Sequence, residues 1–184
     1  MTLSKKSMHE IKSYEPLFNY GHLRGQYLNS VMTGGYLYIK QFVRPEHIST
    51  VREQLAADKN ILSSTGKTEL QRKLSPVSRQ CLWELHSGIM LRVLENITGL
   101  HNLLPDTYCK QTHLLPASSE KLTLNSWHDP SSGLDAALVL IIQTSEGDAE
   151  FCTTAEALAK ITTDNFALQV TYWQHNVKIA GVNS

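Results

Sequence analysis

Hydrophobic and polar positions follow two different periods along the chain, and the period changes near the middle. Residues 34–43, GGYLYIKQFV, place aromatic and β-branched side chains at alternating positions, which predicts a β-strand. Residues 44–58 carry Pro45 where a first helical turn would begin, followed by apolar positions spaced by three and four, which predicts a helix. Residues 59–76 are polar and broken by a glycine and a proline, so we expect a loop with room for a short helix.

The clearest helical pattern covers residues 77–99, where apolar positions recur at intervals of three and four. Gly99 stands just past the end of this pattern, the usual place for a terminating glycine. After Gly99, short apolar runs are separated by turn signals, and each run predicts a strand. These runs are 109–115, 121–127, 136–143, 149–153, 157–162, 166–173 and 177–182.

Helices followed by many short strands predict an α+β fold, in which helices back an antiparallel sandwich or barrel. The first 33 residues have only weak periodicity and are expected to form an N-terminal arm, irregular or with a short helix packed on the domain. Residues 34–184 are expected to form a single domain, since 184 residues suit one domain with a sizeable core.

Composition and charge exclude several classes of partner. The formal net charge is +0, so no basic field is present to hold a phosphate backbone, and nucleic acid is not an expected partner. No apolar run approaches the ~20 residues of a membrane helix, and no apolar stretch follows the N-terminal lysines, so we expect a cytoplasmic protein without a membrane partner. The 3 cysteines show no CxxC spacing, which indicates free thiols. The oligomeric state stays open.

Two histidines are the leading candidates for chemistry. A strand over residues 122–128 would place Leu122, Leu124 and His128 on one face, so His128 is expected to point inward at the end of the strand. His175 ends the later run FALQVTYWQH and is the second candidate. Two imidazoles and one carboxylate, with coordination positions left open, form the ligand set of non-haem iron oxygenases. With 8 histidines in the chain, this spacing alone does not single out an iron site.

Several stretches, in order, are similar to one known family. They are GGYLYIKQFVRPEHISTVREQL, LENITGLHNLLPDTYCKQTHLLP, LTLNSWHDP, ALVLIIQTSEGDAEF and DNFALQVTYWQHNVKIAGV. Together they resemble the Fe(II)/2-oxoglutarate-dependent oxygenases, in particular the small bacterial prolyl-hydroxylase-like group. The resemblance covers roughly residues 34–182. It implies a double-stranded β-helix, or jelly roll, backed by N-terminal helices, with Fe(II) and 2-oxoglutarate as cofactors.

The resemblance assigns the two iron-binding histidines to His128 and His175, but the chain departs from the family at two positions. Pro130 occupies the place of the family's carboxylate, and Asp129, next to His128, would turn to the other face of a regular strand. Asp135 is a possible displaced ligand. The arginine that binds 2-oxoglutarate in the family is missing, because the last arginine is Arg92.

Three functions therefore remain open. The first is an active oxygenase that oxidises a small molecule or a peptide, with His128, His175 and Asp129 as catalytic and metal residues. Lys121 or Lys110 would then hold the cosubstrate. The second is a repurposed, metal-independent cyclase or isomerase of a biosynthetic pathway that uses the same histidines and Asp129 for proton transfer. The third is a non-catalytic binding protein. The residues expected to line the pocket are Trp127, Tyr172, Trp173, Tyr108 and His113.

Overall fold

The computed structural model describes residues 14–26, 32–62, 73–106, 112–117, 120–163 and 166–175. Its helices are α1 (Tyr20–Gln26), α2 (Ile48–Ala57, preceded by a 3-10 turn at Pro45–His47), α3 (Lys59–Leu62), α4 (Pro76–Leu85), α5 (Gly88–Thr98) and α6 (Ala155–Leu158). Its strands are β1 (Tyr36–Ile39), β2 (Leu104–Pro105), β3 (His113–Leu115), β4 (His128–Asp129), β5 (Leu134–Gln143), β6 (Asp148–Cys152) and β7 (Ala167–His175).

The seven described strands form one antiparallel sheet with the order β1-β6-β5-β7-β2. Strand β5 lies at the centre, β4 pairs with one end of β5, and β3 pairs with β7. The two outer strands of this order, β1 and β2, do not pair with each other, so the described sheet is open. The predicted α+β class is confirmed. Among the described helices, none is long and apolar enough to cross a membrane.

The helices and one face of the sheet share the larger hydrophobic core. Leu138, Leu140 and Ile142 of β5 project into it together with apolar side chains from α2, α4 and α5. Phe18 and Phe151 both pack against Phe42, with ring centroids 5.2 and 5.8 Å away. Because Phe18 is also fully buried, the described part of the N-terminal arm is an integral part of this core.

The other face of the sheet carries a second, smaller core. Val139 and Ile141, which alternate with the residues of the first core along β5, pack here against Leu122 and Leu124. The short helix α6 closes this core with Leu158, which is fully buried. Both faces of β5 are therefore buried over residues 138–142, which explains why the sequence from 136 to 142 is an unbroken apolar run.

The helical pattern predicted over residues 77–99 is wrong as a single helix. It forms α4 and α5, which are separated at His86 and Ser87. The Ser87 hydroxyl donates to the Glu84 carbonyl at 2.7 Å and accepts from the Met90 amide at 3.1 Å, so it satisfies the backbone on both sides of the break. Gly99 does end α5, with φ of 74°.

Two predicted strands differ from the structure. Residues 121–127 belong to no strand, although Leu122 and Leu124 are buried as the pattern suggested. Residues 157–162 contain the end of helix α6, because Thr154 caps this helix by accepting a hydrogen bond from the Ala157 amide at 3.2 Å. The strand predicted over 177–182 lies outside the described residues, and β3 forms the described end of the run 109–115.

Candidate functional site

The stretch HDPSSG, residues 128–133, forms a β-hairpin turn between β4 and β5. The Asp129 carbonyl accepts from the amides of Ser132 at 3.3 Å and Gly133 at 2.8 Å, and Gly133 has φ of 69°. The Asp129 carboxylate accepts from the amide and hydroxyl of Ser131 at 3.0 and 2.6 Å, and from the Ser132 hydroxyl at 2.8 Å. Asp before Pro130, with glycine in the left-handed region, is a favourable turn sequence. The Asp129 carboxylate is therefore engaged by the turn itself.

His128 forms a close pair with Asp135 across β4 and β5. The two residues are direct partners in the strand register, and directly opposed side chains in an antiparallel pair project to the same face. His128 Nδ1 lies 2.6 Å from Asp135 Oδ1. The side chains are 53% and 42% exposed, so the expectation that His128 points inward is wrong. The reason is that residues 121–127 are not a regular strand, so their alternation does not extend to His128.

His175 lies on the opposite face of the sheet from His128. In the register, Asp135 is paired with Gln174, whereas His175 is paired with Leu134. Neighbouring residues in a strand point to opposite faces. His128, Asp135 and Gln174 therefore form one row on one face, and Asp129, Leu134 and His175 form the next row on the other.

The described residues do not fit the expected iron centre. A facial Fe(II) site needs two imidazoles and a carboxylate on the same side of one ion, but the sheet separates His128 from His175. Of the two proposed cosubstrate lysines, Lys121 is exposed in the segment that joins no strand, and Lys110 lies outside the described residues.

The residues expected to line a pocket are divided between the two faces. Ala136 is paired with Trp173 and donates its amide to the Trp127 carbonyl at 2.8 Å, so both tryptophans lie in one row on the face of the second core. Tyr172 points to the opposite face, is fully buried, and donates its hydroxyl to the Leu85 carbonyl at 2.9 Å. Tyr172 is thus a core residue and does not line a pocket together with Trp173. Tyr108 lies outside the described residues.

One group of potential metal ligands occurs among the described residues, away from the predicted site. Glu15, Glu46 and His47 bring one ligand atom each to within 4.8 Å of one another. Arg44 binds both glutamates, with Nη1 3.4 Å from Glu15 Oε1 and Nη2 in contact with Glu46 Oε1. The guanidinium supplies the positive charge between the carboxylates, so the geometry is that of a surface ion-pair network.

Two further carboxylates, those of Glu150 and Asp148 on β6, accept hydrogen bonds from uncharged donors. Glu150 accepts from the Tyr36 hydroxyl at 3.0 Å and from the side-chain Nε2 of Gln143 at 2.7 Å. Asp148 accepts from the Tyr38 hydroxyl, and this hydrogen bond, together with partial burial, raises the pKa of Tyr38 to about 12. Both phenols stay protonated at neutral pH, and their hydrogen bonds to Glu150 and Asp148 link strand β1 to strand β6.

Two further histidines are half-buried. His86 follows the last residue of α4, and His113 lies on β3. The Nε2 atoms of both are buried without a hydrogen-bond partner. Burial lowers the pKa of both imidazoles, and the nearby Asp106 carboxylate partly opposes this effect. The sequence placed His113 near a pocket but contained no signal that His86 would also be half-buried near Asp106.

We expect the protein to lose stability as the pH falls below about 6.5, the ordinary pKa of histidine. The unfolded chain then takes up protons that the folded chain excludes at His86 and His113, and this difference favours unfolding. Urea unfolding between about pH 8 and pH 5 should show a steeper decline for wild type than for His86→Phe. The exposed His101 provides a control, because His101→Asn should keep the wild-type slope. A stability that rises on acidification would contradict the expectation.

Comparisons with protein-family models, with curated proteins and with solved structures gave no match to this chain. The chemistry of the described residues therefore carries the functional inference. That chemistry comprises an exposed histidine–aspartate pair on one face of the sheet, and two tryptophans with a separate histidine on the other.

Proposed function

We propose that the chain is a repurposed protein of the Fe(II)/2-oxoglutarate oxygenase type that acts without iron. In this proposal it is a proton-transfer enzyme, an isomerase or cyclase, whose substrate is a small molecule. The observation that carries the proposal is the 2.6 Å contact between His128 and Asp135. The open antiparallel sheet with most of its helices on one face is compatible with part of a jelly roll, and we assign that finer fold on the strength of the sequence resemblance.

The His128–Asp135 pair has the geometry of a general base and the carboxylate that orients it. A carboxylate beside Nδ1 favours the tautomer that carries the proton there, which leaves the lone pair of Nε2 free to accept a proton. Once Nε2 is protonated, Asp135 stabilises the imidazolium. Returning that proton to a different atom of the substrate completes an isomerisation in which no net oxidation occurs.

The strand register also supports a reaction without iron. His175 would have to reach around the sheet to share an ion with His128, and the Asp129 carboxylate already accepts three hydrogen bonds within its turn. Asp135, by contrast, is directly beside His128. The carboxylate that the sequence offered as a displaced metal ligand is thus placed to orient an imidazole.

The proposal is tested by solvent-deuterium incorporation. Purified protein is incubated in D₂O with a metabolite extract of low molecular mass, and mass spectrometry detects the compounds that acquire deuterium. We expect incorporation by the wild-type protein and a loss of about 100-fold with His128→Asn, the scale of general acid–base catalysis. Asp135→Asn should also reduce the rate. His101→Asn, an exposed histidine outside the pair, should not change it.

A parallel anaerobic titration with Fe(II) and 2-oxoglutarate distinguishes proton transfer without iron from iron-dependent oxidation. We expect no visible charge-transfer band and no succinate on admission of oxygen. A charge-transfer band that disappears in both His128→Ala and His175→Ala would overturn the proposal in favour of an oxygenase. Deuterium incorporation that is equal in wild type and His128→Asn would overturn the assignment of the base.

A further inference from the structure

A cavity of about 550 Å³ lies between the α4–α5 helix pair and strand β2. This volume falls within the range of about 300–1,000 Å³ that is typical of small-molecule sites. The His128–Asp135 pair does not contribute to its lining. The cavity is therefore a separate candidate for ligand binding.

The walls of the cavity are mainly apolar. Leu74 and Leu82 are buried at 5% and 4% exposure and form its inner side, and Pro105 of β2 lines it as well. Trp83 stands at its edge with 63% of its surface exposed, the largest value among the described large hydrophobic residues. The Tyr14 ring meets Trp83 edge-on with centroids 5.7 Å apart, which helps to fix the indole. A held, exposed indole is suited to stacking with a planar apolar group.

The polar groups of the cavity favour an anion. Arg79 lies one helical turn before Trp83, on the same side of α4, and its guanidinium forms no ion pair with any residue that the structure describes. No acidic residue is found among the described lining residues. Burial holds the pKa of His86 below its ordinary value, so at neutral pH Arg79 is the cation of the described lining.

The start of α5 adds hydrogen-bond donors on the same side. Gly88 is the first residue of this 11-residue helix, and the Ser87 hydroxyl caps the Met90 amide instead of the Gly88 amide. A Cβ built at Gly88 would meet nothing within 4 Å, so there is open space beside its backbone. The first turn of α5 contains no acidic side chain, so the positive end of the helix dipole at Gly88, which lines the cavity, has no charge partner within its own turn.

We propose that the cavity between α4, α5 and β2 binds an organic carboxylate with a planar apolar body. The carboxylate lies between the Arg79 guanidinium and the Gly88 amide, and the apolar body lies against Trp83 and Leu82. One guanidinium and one helix end suit a single negative charge, and the planar fork of arginine matches a carboxylate. The apolar walls supply affinity that a free inorganic anion could not gain.

Calorimetric titration with 2-naphthoate and with its uncharged analogue 2-naphthamide tests this assignment. We expect 2-naphthoate to bind at least about tenfold more tightly, as one charge-assisted pair provides. Arg79→Gln should weaken binding of 2-naphthoate by about tenfold and leave 2-naphthamide unchanged. Trp83→Ala should weaken both ligands, because each stacks on the same indole.

Arg92→Gln is the matched control, since Arg92 lies on α5 but lines a different, smaller cavity. This variant should bind both ligands as the wild type does. Equal affinity for the acid and the amide would overturn the proposal, and so would an Arg79→Gln protein that binds 2-naphthoate normally. Absence of binding by the wild-type protein at millimolar ligand would overturn it as well.

Discussion

Replacing Glu84 with alanine is expected to lower the free energy of unfolding by about 2–5 kcal/mol, because each buried donor that is left without an acceptor costs about 1–3 kcal/mol. Glu84 is 1% exposed on α4. Its carboxylate accepts from the Leu17 amide and the Gln80 side chain, both at 2.9 Å, from the Tyr20 hydroxyl at 3.3 Å and from the Phe18 amide at 3.5 Å. Without the carboxylate, two backbone amides would be left buried without an acceptor.

The loss of stability should include more than the hydrogen bonds themselves, because Glu84 joins the N-terminal segment to the helices. Leu17 and Phe18 are buried in the main core and depend on this anchor. Burial and the adjacent Glu84 carboxylate raise the pKa of Tyr20, so its phenol remains a donor at neutral pH. Glu84→Gln should cost less than Glu84→Ala, because the amide oxygen keeps part of the acceptor capacity.

Urea unfolding followed by circular dichroism measures this effect directly. The control is Glu53→Ala, since Glu53 is exposed on α2 and accepts from the Ser49 hydroxyl at 3.0 Å. Such a surface change normally alters stability by no more than about 0.5 kcal/mol. A Glu84→Ala protein as stable as Glu53→Ala would show that the buried carboxylate is not the anchor of the N-terminal segment.

Replacing Gly147 with alanine is expected to cost about 2–5 kcal/mol. Gly147 has φ of 74°, and a side chain in the left-handed region costs about 1–2 kcal/mol. Its new Cβ would also lie 2.9 Å from Cδ1 and Cγ1 of Ile48 and 3.1 Å from Cβ of Val43, and such overpacking adds about 1–3 kcal/mol. The backbone cannot retreat easily, because the Gly147 amide donates to the Gln143 carbonyl and its own carbonyl accepts from the Val43 amide, both at 2.8 Å.

Gly133 provides a control that separates the two contributions. It has φ of 69°, but a Cβ built there would meet nothing within 4 Å. Gly133→Ala should therefore show the conformational cost alone, about 1–2 kcal/mol. Equal losses in the two variants, measured by thermal and urea unfolding, would mean that the β5–β6 turn does not pack tightly against Ile48 and Val43.

Local patterns in the sequence were sufficient for several elements because their causes are local. Val51 and Leu55 are buried on α2 as their helical spacing predicts, and Gly99 ends α5 in the left-handed region. The same spacing concealed the break between α4 and α5, because both helices bury apolar residues in one core. Ser87 was the local signal for the break, since its hydroxyl can satisfy the backbone groups that two helix ends expose.

The sequence by itself determined the helical first half, the strand-rich second half with its turn signals, and the opposite orientations of His128 and Asp129. These properties depend on backbone periods and turn chemistry within a few residues. Only the tertiary structure decided that His128 meets Asp135 while His175 lies on the other face, because strand register is fixed by pairing between distant segments. Likewise, the cavity beside Trp83 depends on how helices and strands far apart in sequence pack together, which no local period encodes.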